Sequence, residues 1–182
     1  MGEQHKRSKL PEEHRRLILD IAAEMAIEDS FSSLSFDVIA RKSKLTKGGV
    51  LHHFANKQAL MEGLFMQTLL EFEHMMLNIK ASISDGSIGA NYLETIVELT
   101  KDSGYRKLMK VLIKGTITSD RFRDIWIDWF ENHMRNTKME LKSPKTLMQV
   151  LLADGIWYAQ VLGYYNLSDS DLTDIMKEFK KL

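Results

Sequence analysis

The chain has 182 residues, with 25 basic and 25 acidic side chains, 44% hydrophobic residues and no cysteine. A chain of this length forms one domain or two small ones, and it buries enough surface to fold without a metal or a disulfide. The absence of cysteine excludes disulfides, thiolate nucleophiles and cysteine-based metal sites. No apolar run approaches the roughly 18 residues of a membrane span, so we expect a soluble, cytoplasmic protein. We also expect no cofactor.

The spacing of apolar residues predicts an all-α chain of about nine helices. The first is expected to begin at Pro11, because proline is favoured at the first helical position. The other predicted helices run from 36 to about 43, 46 to 54, 56 to about 84, 92 to about 103, 106 to about 116, 120 to about 142, 144 to about 165, and from 168 onward. Ser143-Pro144 is interpreted as an N-cap followed by a proline in the first helical position. Gly104 and the cluster at 85–89 are the predicted breaks around the middle of the chain.

The second and third predicted helices are short and are separated by a three- to four-residue turn, which is typical of a helix-turn-helix. Ser35 and Thr46 are their predicted N-caps. The third helix opens with Thr46-Lys47-Gly48-Gly49. Two glycines in a short helix cost about 1 kcal/mol each relative to alanine. Either they loosen a loop, or they let the backbone approach a phosphate closely, and we favour the second interpretation.

Charge supports that choice. Residues 38–61 contain five basic side chains (Arg41, Lys42, Lys44, Lys47 and Lys57), two histidines and no acidic residue. A run of like charge is often only a solvated face. Because these cations have no acidic partner within the same stretch, we interpret them as a nucleic-acid-binding surface.

Residues 34–40 (LSFDVIA) and 45–60 (LTKGGVLHHFANKQAL) resemble the DNA-binding signature of the TetR family of bacterial transcriptional regulators. The resemblance covers roughly residues 11–62 and lies in the spacing of the cap, the glycine, the histidine-phenylalanine pair and the lysine. It implies a homodimeric regulator that responds to a ligand and says nothing precise about that ligand. We expect a repressor that a small hydrophobic molecule releases from operator DNA. The resemblance also implies a helix-turn-helix domain over residues 1–56, joined by a long helix to a ligand-binding and dimerisation domain over 57–182.

The resemblance further implies which residues contact DNA: Ser35, Lys44, Thr46, Lys47, Gly48, Gly49, His52, His53 and Lys57. Lys44 stands where the family's turn usually has glycine, so we expect a left-handed backbone there. Leu51 occupies the position usually held by a phosphate-contacting tyrosine. One backbone contact is therefore expected to be missing, with His52 or His53 taking over part of it.

An aromatic face with helical spacing lies on the predicted helix from 120 to about 142. Such faces are usually core, so this one is either core or the wall of an apolar ligand cavity with a few polar anchors. In the second interpretation His133 and Asp154 are the anchors. The predicted ligand-binding residues are Met75, Met109, Leu112, Phe122, Trp126, Trp129, Phe130, His133, Asp154, Trp157 and Tyr158.

Small residues recur at every fourth position of the predicted helix from 143 to about 165, which lets a second helix approach closely. Together with the apolar face of the last helix, they predict a four-helix interface in a symmetric dimer. Tight packing within one subunit is the alternative. The predicted interface residues are Gly155, Ala159, Gly163, Leu172, Ile175, Met176 and Phe179.

Two other classes of protein compete with the regulator. Glu71 and His74 have the spacing of a di-iron ligand pair, but the chain has no second E-x-x-H pair. It also lacks a P-loop, a G-x-S-x-G elbow and an H-E-x-x-H motif, so we do not expect an enzyme. The alternative function is a helical protein-protein adaptor, which would have no affinity for DNA.

Overall fold

A computed structural model describes residues 3–29, 31–82, 88–133 and 143–179. Within these ranges the fold consists of nine α-helices and one short 3₁₀ turn, Phe31–Ser33, and none of the helices is long and apolar enough to cross a membrane. The helices are α1 (Glu3–Glu28), α2 (Phe36–Ser43), α3 (Lys47–His53), α4 (Lys57–Ser82), α5 (Ile88–Lys101), α6 (Ser103–Thr118), α7 (Asp120–His133), α8 (Pro144–Leu162) and α9 (Asp169–Phe179). The all-α prediction is confirmed.

Two compact units divide the chain, Met1–Leu69 and Leu70–Leu182. We call them the N-terminal unit and the C-terminal unit. The division falls inside α4, whose first half belongs to one unit and whose second half belongs to the other. The domain boundary that the sequence placed between residues 56 and 57 stays a prediction.

The core of the N-terminal unit takes apolar side chains from all four of its helices. Arg15 covers one side of this core, with its guanidinium 4.4 Å from the centre of the Phe54 ring. Burial of each large side chain contributes roughly 1.5–3 kcal/mol, which holds the two short helices in place. The principal core residues are Ile18, Ala22, Ile39, Val50, Phe54, Leu60 and Leu64.

The predicted start of the first helix at Pro11 is wrong, because α1 begins at Glu3 and Pro11 lies inside it. A proline inside a helix lacks the N–H that would bond the preceding turn. The segment before it, EQHKRSKL, is nevertheless rich in good helix formers, and these extend the helix toward the N-terminus.

The predicted break at Gly104 is also wrong. The α5 helix ends at Lys101, and Asp102 is the N-cap of α6. Its Oδ1 accepts hydrogen bonds from the backbone N–H groups of Gly104, at 2.6 Å, and Tyr105, at 3.3 Å. Because an aspartate cap stabilises a helix by about 1 kcal/mol, it decides the boundary, and Gly104 lies in the first turn of α6.

The α8 helix begins at Pro144, as predicted, with Ser143 as its N-cap. It ends earlier than predicted, at Leu162, because Gly163 adopts a left-handed conformation (φ 74°) and caps the helix. The α9 helix follows a capping box, in which the Ser168 N–H donates to Asp171 and the Asp171 N–H donates back to the Ser168 hydroxyl. The predicted continuation of α7 over 134–142 lies outside the described residues.

The C-terminal unit is built around the packing of α5 along α8. The two helices approach closely at Gly89, where an added Cβ would stand 2.7 Å from Gln149 Oε1 and 3.1 Å from the Thr146 carbonyl oxygen. Only glycine fits there without displacing α8. Farther along, Tyr92 is fully buried and reaches α8 through its hydroxyl, which donates to Asp154. The contact between α5 and α8 thus fixes the position of Asp154.

Candidate functional site

The turn between α2 and α3 confirms one expectation from the sequence. Lys44 has φ 58° and ψ 25°, the left-handed conformation that glycine adopts in this position of a helix C-cap. Its N–H donates to the carbonyl of Arg41 at 3.4 Å, and the next N–H, from Leu45, donates to Ala40 at 3.0 Å. A left-handed residue with a side chain costs roughly 1–2 kcal/mol. The surrounding helices hold this turn, and the Lys44 side chain lies exposed beside it.

The first turn of α3 is capped by Thr46, whose Oγ1 accepts a hydrogen bond from the Gly49 N–H at 2.9 Å. The two glycines have different surroundings. A Cβ at Gly49 would lie 3.2 Å from Thr46 Oγ1, whereas a Cβ at Gly48 would meet nothing nearer than 3.9 Å. Gly49 therefore packs against its own cap, while Gly48 leaves an open surface at the start of the helix.

Lys47 has an acidic partner after all. Its ammonium donates to Asp37 Oδ2 at 3.0 Å, so the absence of an acidic residue within 38–61 does not leave Lys47 unpaired. Asp37 precedes that stretch by one residue, and the packing of α2 against α3 brings the two side chains together. Both are more than half exposed, so the pair contributes little and can be exchanged for another anion.

Two other residues predicted to contact DNA, Ser35 and Lys57, lie just before α2 and at the start of α4. The Lys57 ammonium, at the start of α4, donates to the carbonyl of Ser32. Ser35 has the extended backbone of an N-cap, as predicted, but its hydroxyl makes no capping hydrogen bond. The hydroxyl of Ser35 is thus not needed to hold α2.

Three histidines meet at the end of α3. The His53 ring lies edge-on to His52, with centroids 5.6 Å apart, and edge-on to His14 of α1, at 6.2 Å. Burial lowers the pKa of His53, and the neighbouring His52, His14 and Arg15 lower it further. The sequence does not point to His14, because its contact comes from the packing of α1 against α3 and no local pattern marks it. Leu51, next to the cluster, is 40% exposed.

A cleft of about 410 Å³ lies between α6, α7 and α8. Five of the eleven predicted ligand-binding residues line it, one from α6, one from α7 and three from α8. They are Leu112, Trp126, Asp154, Trp157 and Tyr158. The cleft also includes Arg123, which forms an exposed ion pair with Asp120. The aromatic face therefore belongs partly to the core and partly to a cleft.

The other predicted ligand residues lie elsewhere. Met109 and Phe122 are core residues, 2% and 0% exposed. Met75 lines a separate cleft of about 480 Å³ with Glu98 and Lys101. Trp129 and Phe130 are half-buried and contact the rings of Trp126 and Tyr92, respectively, while the side chain of His133 lies outside the described residues.

Asp154 is the acidic group of the cleft. Its Oδ1 accepts a hydrogen bond from the Tyr92 hydroxyl at 2.8 Å. Burial raises the pKa of Asp154, an effect that this hydrogen bond partly offsets. Burial also raises the pKa values of Tyr92 and Tyr158, and the nearby carboxylate raises them further. The environment therefore disfavours negative charge at this end of the cleft.

The predicted dimer residues have mixed surroundings. Gly155 is exposed, and a Cβ there would meet no atom within 4 Å. Ala159 is buried, and Gly163 ends α8, so the predicted stripe along one helix is wrong at its last member. Leu172 is buried in the core and Met176 is half-buried, while Ile175 and Phe179 line a third cleft, of about 580 Å³. The interface itself stays a prediction.

In the ranges that the structure describes, no three His, Asp or Glu side chains are grouped to hold a metal ion. The expectation that the chain is not an enzyme stays a prediction.

Two family models match the chain. One, described as bacterial regulatory proteins of the tetR family, covers residues 18–64, and the other, a tetracyclin repressor-like C-terminal domain, covers residues 88–182. The chain belongs to the TetR family. The assignment made from residues 34–60 is confirmed, and the second model extends the TetR match through the C-terminal unit.

Curated relatives include the transposon Tn10 TetC protein of Escherichia coli, 28% identical over 90 residues (47% of this chain and 45% of the relative). The HTH-type transcriptional regulator UidR of Escherichia coli K12 is 29% identical over 103 residues (56% of this chain and 51% of the relative). The chain spans about half the length of the curated relatives it matches.

Solved structures match over nearly the whole chain. Salmonella enterica GusR has a TM-score of 0.62 at 16% identity, with 93% of this chain and 94% of that one covered. NalD of Pseudomonas aeruginosa, described as the secondary repressor of the MexAB-OprM multidrug efflux pump, has a TM-score of 0.62 at 20% identity, with 94% and 96% covered. At these identities the likeness shows the fold alone.

Proposed function

We propose that this TetR-family chain is a homodimeric, DNA-binding transcriptional repressor of the bacterial cytoplasm, released from its operator by a small molecule. The observation that carries the proposal is the geometry of the α2–α3 unit. A left-handed Lys44 ends the first helix, Thr46 caps the second, and Gly48 leaves the start of the second helix open. That arrangement lets a recognition helix enter the major groove of DNA.

The polar and basic side chains of this unit divide into two roles. Thr46 and Lys57 lie at the starts of α3 and α4, where contacts to phosphate fix the position of the protein on DNA. Lys47, His52 and His53 lie on the recognition helix and are the candidates for contacts with bases. The exposed ion pair between Lys47 and Asp37 restrains the lysine without a large energetic cost to its release.

Ligand response is proposed for the cleft between α6, α7 and α8, because it combines aromatic and aliphatic walls with a polar group. Its wall touches α4, since the Phe72 ring of α4 stacks on Trp157 at 5.7 Å with an interplanar angle of 13°. A ligand that moves Trp157 would therefore shift α4, which leads back to the N-terminal unit. A repressor is released when its two recognition helices no longer match half-sites about 34–36 Å apart.

Dimerisation is proposed through α8 and α9. The cleft at Ile175 and Phe179 carries apolar side chains and an acidic rim of Asp171, Asp174 and Glu178. Partly exposed apolar side chains of this kind are typical of a helix face that packs on a second subunit.

The experiment is a titration of the full chain against DNA from immediately upstream of its own gene. It is run at two salt concentrations, beside a scrambled duplex and a pool of random duplexes. We expect tight binding that depends on sequence and weakens with salt, because each phosphate contact releases a counterion. Absence of binding to every duplex at low salt would contradict the proposal and favour the protein-protein adaptor.

A further inference from the structure

The cleft between α6, α7 and α8 places one carboxylate beside three aromatic rings. Asp154, Trp126, Trp157 and Tyr158 all line it. The centroids of the two indole rings are 5.1 Å apart and their planes are inclined by 49°. The face of an aromatic ring carries negative electrostatic potential and attracts cations, most strongly for tryptophan. The rings and the carboxylate thus favour the same sign of charge in a ligand.

Asp154 has no counter-ion among the residues that the structure describes. Its one hydrogen-bond partner there is the hydroxyl of Tyr92, which is a neutral donor. Taking a carboxylate out of water is costly unless an opposite charge compensates for it. The raised pKa of Asp154 reflects that cost. A bound cation would compensate for it and stabilise the ionised form.

Arg123 is the cation of the described cleft wall, and its charge already has a partner. The guanidinium pairs with Asp120 on the same helix, and half of the Arg123 side chain is exposed. The arginine therefore lies at the solvent side of the cleft, and its charge is offset by a residue that does not line the cleft. Asp154 is thus left without a paired cation among the described residues of the cleft.

We propose that this cleft binds an organic cation, an ammonium group with an apolar body, whose charge lies against Asp154 and the rings of Trp126 and Trp157. The inference rests on the proposed function, since it names the chemical class of the effector. The cleft volume of about 410 Å³ falls within the range typical of small-molecule sites, roughly 300–1,000 Å³. The aliphatic side chains of α6, Leu112 and Ile113, contact the apolar body.

The test compares three probes of similar size: benzyltrimethylammonium, its uncharged isostere neopentylbenzene, and the anion benzenesulfonate. Binding is followed by tryptophan fluorescence, because all three tryptophans of the chain lie in one ring cluster at the cleft. We expect the ammonium to bind about tenfold or more tightly than the hydrocarbon, because the carboxylate and the rings both act on its charge.

The decisive variant is Asp154→Asn, which removes the charge but keeps an oxygen that accepts the Tyr92 hydrogen bond. It should lower affinity for the ammonium by about tenfold and leave affinity for the hydrocarbon unchanged. The matched control is Asp128→Asn, because Asp128 lies exposed on α7 and does not line the cleft. Equal affinity for the ammonium and the hydrocarbon, unchanged ammonium binding in Asp154→Asn, or preference for benzenesulfonate would each overturn the cation proposal.

A second readout separates this inference from the proposed function. The same ammonium is added to the complex of the protein with a duplex selected from random DNA. Release of the DNA supports both proposals. Ammonium binding without release supports the cation site and contradicts the proposed ligand response. Release by neopentylbenzene, with no preference for the ammonium, supports the ligand response and overturns the cation site.

Discussion

The candidate DNA contacts come from one continuous stretch, residues 35–57, whereas the candidate ligand cleft collects side chains from residues 112–158 on three helices. In the N-terminal unit, caps and a left-handed turn define the site locally. In the C-terminal unit, buried rings and the Tyr92–Asp154 hydrogen bond define it through tertiary packing. Substitutions should therefore act differently in the two units: loss of a buried ring beside the cleft mainly lowers stability, while loss of an exposed cation in the motif mainly lowers DNA affinity.

The largest effect on stability is expected for Trp157→Ala in the C-terminal unit. Trp157 is 4% exposed and contacts the rings of Phe72 and Trp126, so its removal leaves a cavity. We expect a loss of about 3–5 kcal/mol in the free energy of unfolding, measured by urea denaturation with circular dichroism. Tyr158→Ala, on the exposed side of the same helix, is the control and should cost less than about 1 kcal/mol. Similar losses for both would contradict the distinction between the buried Trp157 and the exposed Tyr158.

In the N-terminal unit, Lys57→Ala and Lys47→Ala should weaken DNA binding in different ways. A phosphate contact at Lys57 predicts weaker binding to all sequences and a salt slope smaller by about one. A base contact at Lys47 predicts the additional loss of sequence preference. Both are measured by fluorescence anisotropy, with Lys177→Ala in α9 as the control cation. Identical slopes and preferences for the two variants would reject these roles.

Within the motif, the two N-caps Thr46 and Ser35 should contribute differently to stability. Thr46→Ala removes the hydroxyl that accepts from Gly49 and should cost about 1 kcal/mol of stability. Ser35→Ala is its matched control, because Ser35 occupies an N-cap but makes no capping bond. Its effect on stability should be within about 0.5 kcal/mol, although its DNA affinity still falls if the hydroxyl meets a phosphate. Thermal denaturation of both variants measures these two changes in stability.

The smallest expected effect is a pH dependence in the N-terminal unit. The pKa of His53 is lower in the folded protein than its ordinary value, so the unfolded chain binds more protons as the pH falls below about 6.5. The stability contributed by neutral His53 is present above that pH and is lost as the pH falls through the folded pKa. We expect the Tm of the wild type to fall more than that of His53→Gln between about pH 7.5 and 5.5. If the Tm falls equally with pH in the wild type and in His53→Gln, the pKa of His53 is not lowered by folding.

Much of the N-terminal site could be predicted because its determinants are local. The Thr46 cap follows from a residue type at a fixed spacing, and the left-handed Lys44 follows from the resemblance to the TetR signature, whose turn has glycine there. The partner of Lys47 could not be predicted, because Asp37 reaches it only after α2 and α3 pack together. The same reason applies to His14, which belongs to another helix.

In the C-terminal unit, the spacing of aromatic residues predicted an aromatic helix face. It could not predict which of those side chains line a cavity. Phe122 and Trp126 share the aromatic face of α7, yet one is fully buried and the other lines the cleft. The buried partner of Asp154, Tyr92, lies 62 residues away along the chain. Helix ends were predictable where caps were recognised, as at Ser143-Pro144, and mispredicted at Gly104, where the Asp102 cap was overlooked.

The central claim, that α3 meets DNA through its first turn, is tested most directly by Gly48→Asp. An aspartate there meets no close neighbour and stabilises the start of the helix, so the Tm should be unchanged or higher. Against phosphate its charge is repulsive, and affinity for the selected duplex should fall by about tenfold or more. Asn132→Asp, an exposed position on α7, makes the same change in charge and should bind as the wild type does. Unchanged DNA affinity in a folded Gly48→Asp protein would contradict the account.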